Sequence, residues 1–232
     1  MPTTVSDALI ITIDGPAGTG KSTVAAGLAR RLGLARLDTG AMYRTVALIA
    51  VRAQIDPADT PALLAALAAH ELYFDCTVDP PVMSLDGEDV EPHIRSARIG
   101  EVVSEIAAVP EIRRAMVHMQ QATARAHPRL VSEGRDQGSV VFPDAQVRFY
   151  LTADPNERVR RRVAQLEADG ASVDAAKVAA EIDHRDALDA GRDTSPLRCP
   201  DGAVEVDTTG MSIDDVIDAL ERTVRETVGS AC

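Results

Sequence analysis

Residues Gly15 to Thr23 read GPAGTGKST, so Gly15, Gly20, Lys21 and Ser22 stand in the spacing G-x-x-x-x-G-K-[ST]. Glycines at these positions let backbone N–H groups turn inward around an anion, and a helix starting there adds the partial positive charge of its N-terminus. The lysine reaches the terminal phosphate oxygens and the serine hydroxyl can ligate Mg²⁺. Gly15, Pro16, Ala17, Gly18, Thr19, Gly20, Lys21, Ser22 and Thr23 are therefore candidates for gripping ATP or GTP, with Lys21 in a catalytic role. The loop names a phosphoryl donor only, since kinases, GTPases, motors and transporters share it.

The acceptor has to be sought among the other charged groups. A kinase acting on a small anionic acceptor must hold two anions that repel each other, and only cations bring them together. Basic residues here are almost all arginine, 22 against the two lysines Lys21 and Lys177. Arginine makes bidentate contacts to phosphate and carboxylate that lysine cannot. On a helix, Arg158, Arg161 and Arg162 of NERVRRRVAQL share one face. In HRDALDAGRD, Arg185, Asp189 and Arg192 fall at i, i+4 and i+7, one face if the helix continues past Gly191. Each group alone suits a solvated helix laced with ion pairs; beside a phosphate-binding loop, late arginines suit a segment that closes over a transferring phosphoryl group. Asp38-Thr39-Gly40-Ala41-Met42-Tyr43-Arg44 adds a hydroxyl, a tyrosine and an arginine where a helix opens, with Asp38 or Thr39 as its cap.

Elements that position these residues follow from periodicity. Leu9 to Ile13 is apolar on both faces, as a central parallel strand covered by helices must be. Ser22 to Leu32 has helical spacing and closes at Gly33, giving strand, loop and helix in the order the motif requires. Further strands are expected at Leu130–Ser132, Val147–Leu151 and Ala203–Val206. Helices are expected at Met42–Ala53, Pro61–Ala69, Ser96–Ala108, Pro110–Ala126, Asn156–Asp169, Asp174–Ala190 and Ile213–Val228. This alternation predicts an α/β doubly wound sheet. Residues 71–92, with Pro80-Pro81 and an Asp86-Gly87 turn signal, predict a small antiparallel insertion.

Bulk properties narrow the class. A chain of 232 residues, 45% hydrophobic, suits one domain with an embellishment. A net charge of −12 argues against a nucleic-acid partner, which demands a basic face. Cys76, Cys199 and Cys232 form no C-x-x-C, and the five histidines have neither metal-ligand spacing nor a partner nucleophile. The start MPTTVSDALIITIDG carries no basic stretch and only a short apolar run, so no export signal or membrane span is expected. These features together predict a cytoplasmic, monomeric protein.

IDGPAGTGKST, LDTGAMYR, EGRDQGSVVFPDA and HRDALDAGRD, in this order and at these separations, closely resemble the bacterial cytidylate (CMP) kinases, over nearly the whole chain. The resemblance implies the nucleoside monophosphate (NMP) kinase fold: a five-stranded parallel core, a mobile monophosphate-binding region with an extra small sheet, and a short lid. The expected division is core 1–40, 115–155 and 193–232, an NMP-binding part 41–114 and a lid 156–192. It implies transfer of the ATP γ-phosphoryl, with Mg²⁺, to CMP and dCMP. By position it places Thr39, Arg44 and Arg135 around the acceptor phosphate, counts Tyr43 among the substrate-binding residues, and sets Ser104, Arg113 and Asp136 at cytosine. Arg185 and Asp189 fall at the ribose, Arg192 near base and phosphate, and Arg161 and Arg162 in the lid. Glu133, where some relatives carry Asp, joins Ser22 as a candidate metal contact. Asp136 and Ser104 can accept from the exocyclic amino group that uracil lacks, and Arg113 can donate to the ring acceptors.

Two other readings stay open at this stage. A related P-loop kinase could take another acceptor such as UMP. A nucleotide-gated switch could hydrolyse slowly and signal to a partner, although the guanine-reading NKxD sequence is absent.

Overall fold

The computed structural model describes residues 8–168, 170, 172–192 and 194–229. Five parallel strands form the central sheet in the order β2 (Ala35–Asp38), β6 (Arg129–Glu133), β1 (Leu9–Asp14), β7 (Val147–Thr152) and β8 (Val204–Asp207). β1 lies in the middle, with Ile13 opposite both Glu133 and Phe149. Three of the four expected strands are met closely and the last, at Ala203–Val206, is shifted by one residue. The fifth strand, β2, did not read as one: Arg36 and Asp38 interrupt its short apolar pattern, and pairing to β6 rather than propensity holds it extended.

Alternation along β1 separates two environments. Leu9, Ile11 and Ile13 are buried under α1 (Lys21–Leu32) and α9 (Ile213–Val228), with Val24, Leu28, Phe149, Leu151, Ile217 and Leu220. Burying a side chain of this size stabilises by roughly 1.5–3 kcal/mol, so this layer alone can hold the donor strand in place. Gly27 lets the two helices touch, since a Cβ there would stand 2.3 Å from the Ile217 side chain. α1 stops at Gly33 in the left-handed conformation, and a reciprocal Ser212–Asp215 capping box starts α9.

The other face is covered by α2 (Thr39–Arg52), α5 (Ala97–Ile106) and α6 (Pro110–Ala126), whose apolar stripes form a second core around Leu37, Met42, Val46, Ile106, Ile112, Met116 and Leu130. That core continues through α3 (Thr60–Ala68) and one helical turn, α4 (Glu91–Ile94), into the expected insertion. The insertion is a three-stranded antiparallel sheet of β3 (Leu72–Asp75), β4 (Val82–Leu85) and β5 (Glu88–Asp89). α2 begins three residues earlier than its apolar spacing suggested, because Asp38 caps it by accepting from the Ala41 N–H at 3.0 Å. α7 (Pro155–Ala168) and α8 (Ala175–Ala190) pack on each other near the carboxyl ends of the strands. α8 ends before Gly191, so Arg192 does not extend its face; Asp169 and Cys232 lie outside the described residues. Among the described residues no helix is long and apolar enough to cross a membrane.

Candidate active site

β1 ends in Asp14 and gives way at once to the glycine loop. Gly15 has φ 147°, and a Cβ there would lie 2.2 Å from the Leu151 carbonyl oxygen, so only glycine lets the chain turn this close to β7. Gly20, at φ 87°, leads into α1 without a side-chain cap, which leaves the first amides of the helix free to face an anion. Lys21 is buried and folds back over the loop, its Nζ donating to the Pro16 carbonyl at 2.6 Å and to Thr19 Oγ1 at 3.3 Å. Burial, followed by the repulsion of Arg135, holds the Lys21 ammonium well below the usual lysine range.

Ser22 Oγ donates to Glu133 Oε2 at 2.9 Å across the β1–β6 edge. Burial, reinforced by Asp38, pushes the Glu133 carboxyl up. Its second oxygen, Oε1, is buried without a hydrogen-bond partner. An unsatisfied carboxylate oxygen beside a serine hydroxyl suits a hard cation. No cluster of three or more His, Cys, Asp or Glu suited to a metal occurs among the described residues. A cation here would therefore rest on Ser22, Glu133 and the oxygens of a bound nucleotide.

Thr39 Oγ1 donates to the Glu133 carbonyl at 2.7 Å, which ties the start of α2 to the end of β6. Gly134 is packed so tightly that a Cβ would meet Thr39 Oγ1 and the Gln137 side chain at 2.9 Å each. Gly40 plays a similar part: a Cβ there would stand 2.8 Å from Arg44 Nη1. Arg44 is half-buried, and burial first, then Arg95 and Arg135 against the pull of Asp38 and Glu133, holds its guanidinium below the usual arginine range. Arg185 is lowered to about 10 by burial, then by Arg135, with Arg44 and Arg162 adding to the repulsion. Two carboxylates near these cations are shared with other groups: Asp38 pairs with Arg95, and Asp189 with Arg135 and Arg192. Lys21, Arg44 and Arg185 thus stand with Arg135 in a group of mutually repelling cations, of which only Arg135 is held by a direct ion pair among the described residues, in a chain of net charge −12. Cations are gathered with so little compensation where an anion is expected to supply the rest.

Beside that pocket lies a buried pair. Arg113 on α6 donates through Nη2 to Asp136 Oδ2 and through Nη1 to the Ala107 carbonyl at 2.9 Å, with its guanidinium carbon 5.4 Å from the centre of the Tyr43 ring. Both residues are almost fully buried, and Arg113 Nε has no partner among the described residues. A buried ion pair contributes little net stability over well-packed apolar residues, so its retention points to recognition. Arg192 stands close to the same pair and to Tyr43. Asp189 stays ionised despite burial because Arg135, Arg192 and Arg185 surround it, and Arg135 Nε donates to it at 2.8 Å. Ser104 is half-buried on α5, the helix that packs on α8.

The late arginines, expected on one face, divide. Arg158 is buried against the glycine loop, donating to the Ala17 carbonyl at 3.2 Å and pairing with Asp186. Arg161 donates to Thr208 Oγ1 at 3.0 Å and to its carbonyl at 2.7 Å, which fastens α7 to the segment after β8. Only Arg162 points outward, with Gln165 as its partner at 2.9 Å. The sequence reading missed Asp14, Asp186 and Gln137. Asp14 could have been suspected from its type alone, a carboxylate ending a strand buried on both faces; Asp186 and Gln137 acquire meaning only from what they touch.

Comparison with known proteins decides the family. The cytidylate kinase family model matches residues 11–226. This chain belongs to the cytidylate kinase family. It is 45% identical over 218 residues to the cytidylate kinase of Mycobacterium avium (strain 104), covering 94% of this chain and 96% of that one. The cytidylate kinase of Geobacter sulfurreducens is 46% identical over 219 residues, covering 94% and 93%. Among solved structures, an uncharacterized protein from Eubacterium ventriosum superposes with a TM-score of 0.51 at 14% identity, covering 95% of this chain and 99% of that one, which speaks to the fold alone. As a cytidylate kinase family member the chain is a nucleotide-binding phosphotransferase.

Proposed function

We propose that this protein transfers the γ-phosphoryl group of ATP to CMP and dCMP, giving CDP and dCDP, with ATP on the loop of residues 15–23 and Mg²⁺ as cofactor. The observation that carries the reading is the Arg113–Asp136 pair set against Tyr43 beside the group of mutually repelling cations: a base reader next to a phosphate site. Asp136 and Ser104 accept from the cytosine amino group while Arg113 donates to the ring acceptors. Uracil presents a carbonyl in place of the amino group and leaves a buried acceptor unpaired, a loss that discriminates strongly.

Phosphate handling follows from the cations. Thr39, Arg44, Arg135 and Arg185 receive the acceptor phosphate, while Asp189 accepts from the ribose hydroxyls in concert with Arg185 and Arg192. An acceptor phosphate oxygen forms the new bond to the γ-phosphorus as the bond to the β,γ-bridging oxygen breaks, and ADP leaves with that electron pair. No general base is required because the acceptor is already anionic; positioning and charge stabilisation suffice. Lys21 leaves its contact with the Pro16 carbonyl to follow the transferring group, its ammonium stabilised by the phosphate oxygens. Ser22 and Glu133 would hold Mg²⁺, which supplies charge neutralisation on the phosphate oxygens. Arg162, and Arg161 once released from Thr208, close over the transferring group and exclude water.

This reading divides the chain into a core of residues 1–40, 115–155 and 193–232, an NMP-binding part 41–114 and a lid 156–192, in a monomer acting in the cytoplasm on small molecules. ADP release with Mg-ATP and a panel of CMP, dCMP, UMP, AMP and GMP tests it. CMP and dCMP are expected to dominate; turnover with none of the five, or with purines first, would refute the assignment.

A further inference from the structure

We infer that Asp14 is a positioning residue for base selection, holding the turn that carries Asp136 from the end of the donor strand. Asp14 lies fully buried on the face of β1 opposite its apolar core, in the last position before the glycine loop. Its two carboxylate oxygens each take one backbone N–H: Gln137 donates to Oδ1 at 2.8 Å and Gly138 to Oδ2 at 2.7 Å. These are the first two residues of the short π-helical turn Gln137–Val141, and Asp136 is its N-cap. The Asp136 side chain provides no cap of its own for that turn, so its carboxylate stays available to Arg113.

Three further contacts make this arrangement specific. Gly138 has no room for a side chain, since a Cβ would meet Thr12 Oγ1 at 2.8 Å and the Pro200 ring at 3.0 Å. The turn therefore lies directly on β1. Gln137 is locked in turn, accepting from Ser132 Oγ at 2.6 Å and donating toward Gln120 at 3.3 Å. Arg135, on the other side of Asp136, is held by Asp189 at 2.8 Å. Asp136 thus sits between two anchored neighbours, and the anchor on its C-terminal side is Asp14. Burial is the largest influence on the Asp14 carboxyl and raises it to about 7. The fold keeps a carboxylate in an unfavourable place, although a neutral side chain would be easier to bury, and what it gains there is the pair of hydrogen bonds to this turn.

The inference rests on the base-reading roles proposed for Arg113 and Asp136. An amide in place of the carboxylate still accepts one N–H but presents its own NH₂ to the other, so the turn must shift at its first residue. The test is steady-state kinetics of Asp14→Asn and Asp14→Ser with CMP and UMP, with ATP binding measured separately and thermal melting as the check on folding. Both variants remove a costly buried charge and are expected to fold. One buried N–H left unsatisfied implies a rise of about tenfold or more in KM for CMP, a similar fall in the CMP-over-UMP ratio of kcat/KM, and an ATP affinity within about twofold of wild type. Equal losses for ATP and CMP, an unchanged ratio, or loss of ATP binding in both variants would overturn the inference, because Asp14 would then serve the glycine loop or the fold at large. Arg113→Met in the same assay separates the two levels. If that ratio is insensitive to Arg113, the base assignment fails and takes this role of Asp14 with it. If it collapses in Arg113→Met yet holds in the Asp14 variants, only the role of Asp14 fails.

Discussion

The proposed donor loop and the proposed acceptor pocket sit side by side yet are built in opposite ways. The loop is nine consecutive residues, Gly15–Gly20 between β1 and α1 and Lys21–Thr23 in the first turn of α1, and it presents backbone amides that any sequence with glycines in the right places can offer. The acceptor pocket draws Thr39 and Arg44 from α2, Arg113 from α6, Arg135 and Asp136 from the turn after β6, and Arg185, Asp189 and Arg192 from α8 and beyond. It works through side chains. Donor contacts are local, Lys21 being hydrogen-bonded to Pro16 and Thr19 within the loop itself. The cations on the acceptor side are distant in sequence and repel one another. The difference suggests that the loop stores geometry while the pocket stores electrostatic strain that an anion releases.

Breaking the donor side should cost most. Lys21→Met is expected to lower kcat about a thousandfold, the scale of removing one preorganised charge donor from a transition state, with CMP binding largely retained; single-turnover measurement checks it. On the acceptor side, Arg185→Met should lower kcat/KM for CMP about a hundredfold. The same variant should melt at a higher temperature than wild type without ligand, because one of the mutually repelling cations is gone. A lower melting temperature would break the comparison, making the arginine cluster part of the scaffold.

Proton linkage sharpens the contrast next. Asp14 has its carboxyl raised by burial to about 7, so its contribution favours the fold at low pH and is lost as pH rises from the unfolded carboxylate range through about 7. Asp14→Asn removes that dependence. Its stability relative to wild type should therefore rise between pH 5 and pH 8, by on the order of 2 kcal/mol, as read by urea denaturation at the two pH values. A smaller effect is expected from Arg161→Ala, which removes hydrogen bonds to Thr208: about 1–2 kcal/mol of stability, a few degrees in Tm. Substrate affinities should change less than kcat if Arg161 also joins the lid. The exposed Arg52–Glu88 pair sets the baseline: Arg52→Ala should alter stability by less than about 0.5 kcal/mol and activity not at all.

Sequence legibility followed the same division. LIITID and GPAGTGKST were readable because strand, loop and helix succeed one another along the chain, and each carries its own local signal. The helical faces of α1 and α9 were legible from apolar spacing, and the insertion from its turn residues. β2 was not, because only pairing to β6 keeps ARLD extended. The spacing of Arg185 and Asp189 was legible, since both lie on one helix; Arg192 lies past its end and reaches Asp189 from the following segment. The parting of Arg158, Arg161 and Arg162 was not legible, because three arginines within five residues are alike until the structure supplies Asp186, Thr208 or solvent as partner.

By itself, then, the sequence determined the fold class, the grip on a polyphosphate and, through its resemblance to the cytidylate kinases, which residues to look for. It could do so because periodicity and glycine placement act over a few residues, within the range of local backbone sterics. Tertiary structure alone decided that Arg113 faces Asp136, that Lys21, Arg44 and Arg185 gather beside Arg135 with little compensation, and that Asp14 holds the turn that carries Asp136. Those facts depend on distances between groups up to 164 residues apart, and on burial, which turns ordinary charges into strong ones by removing the water that would screen them.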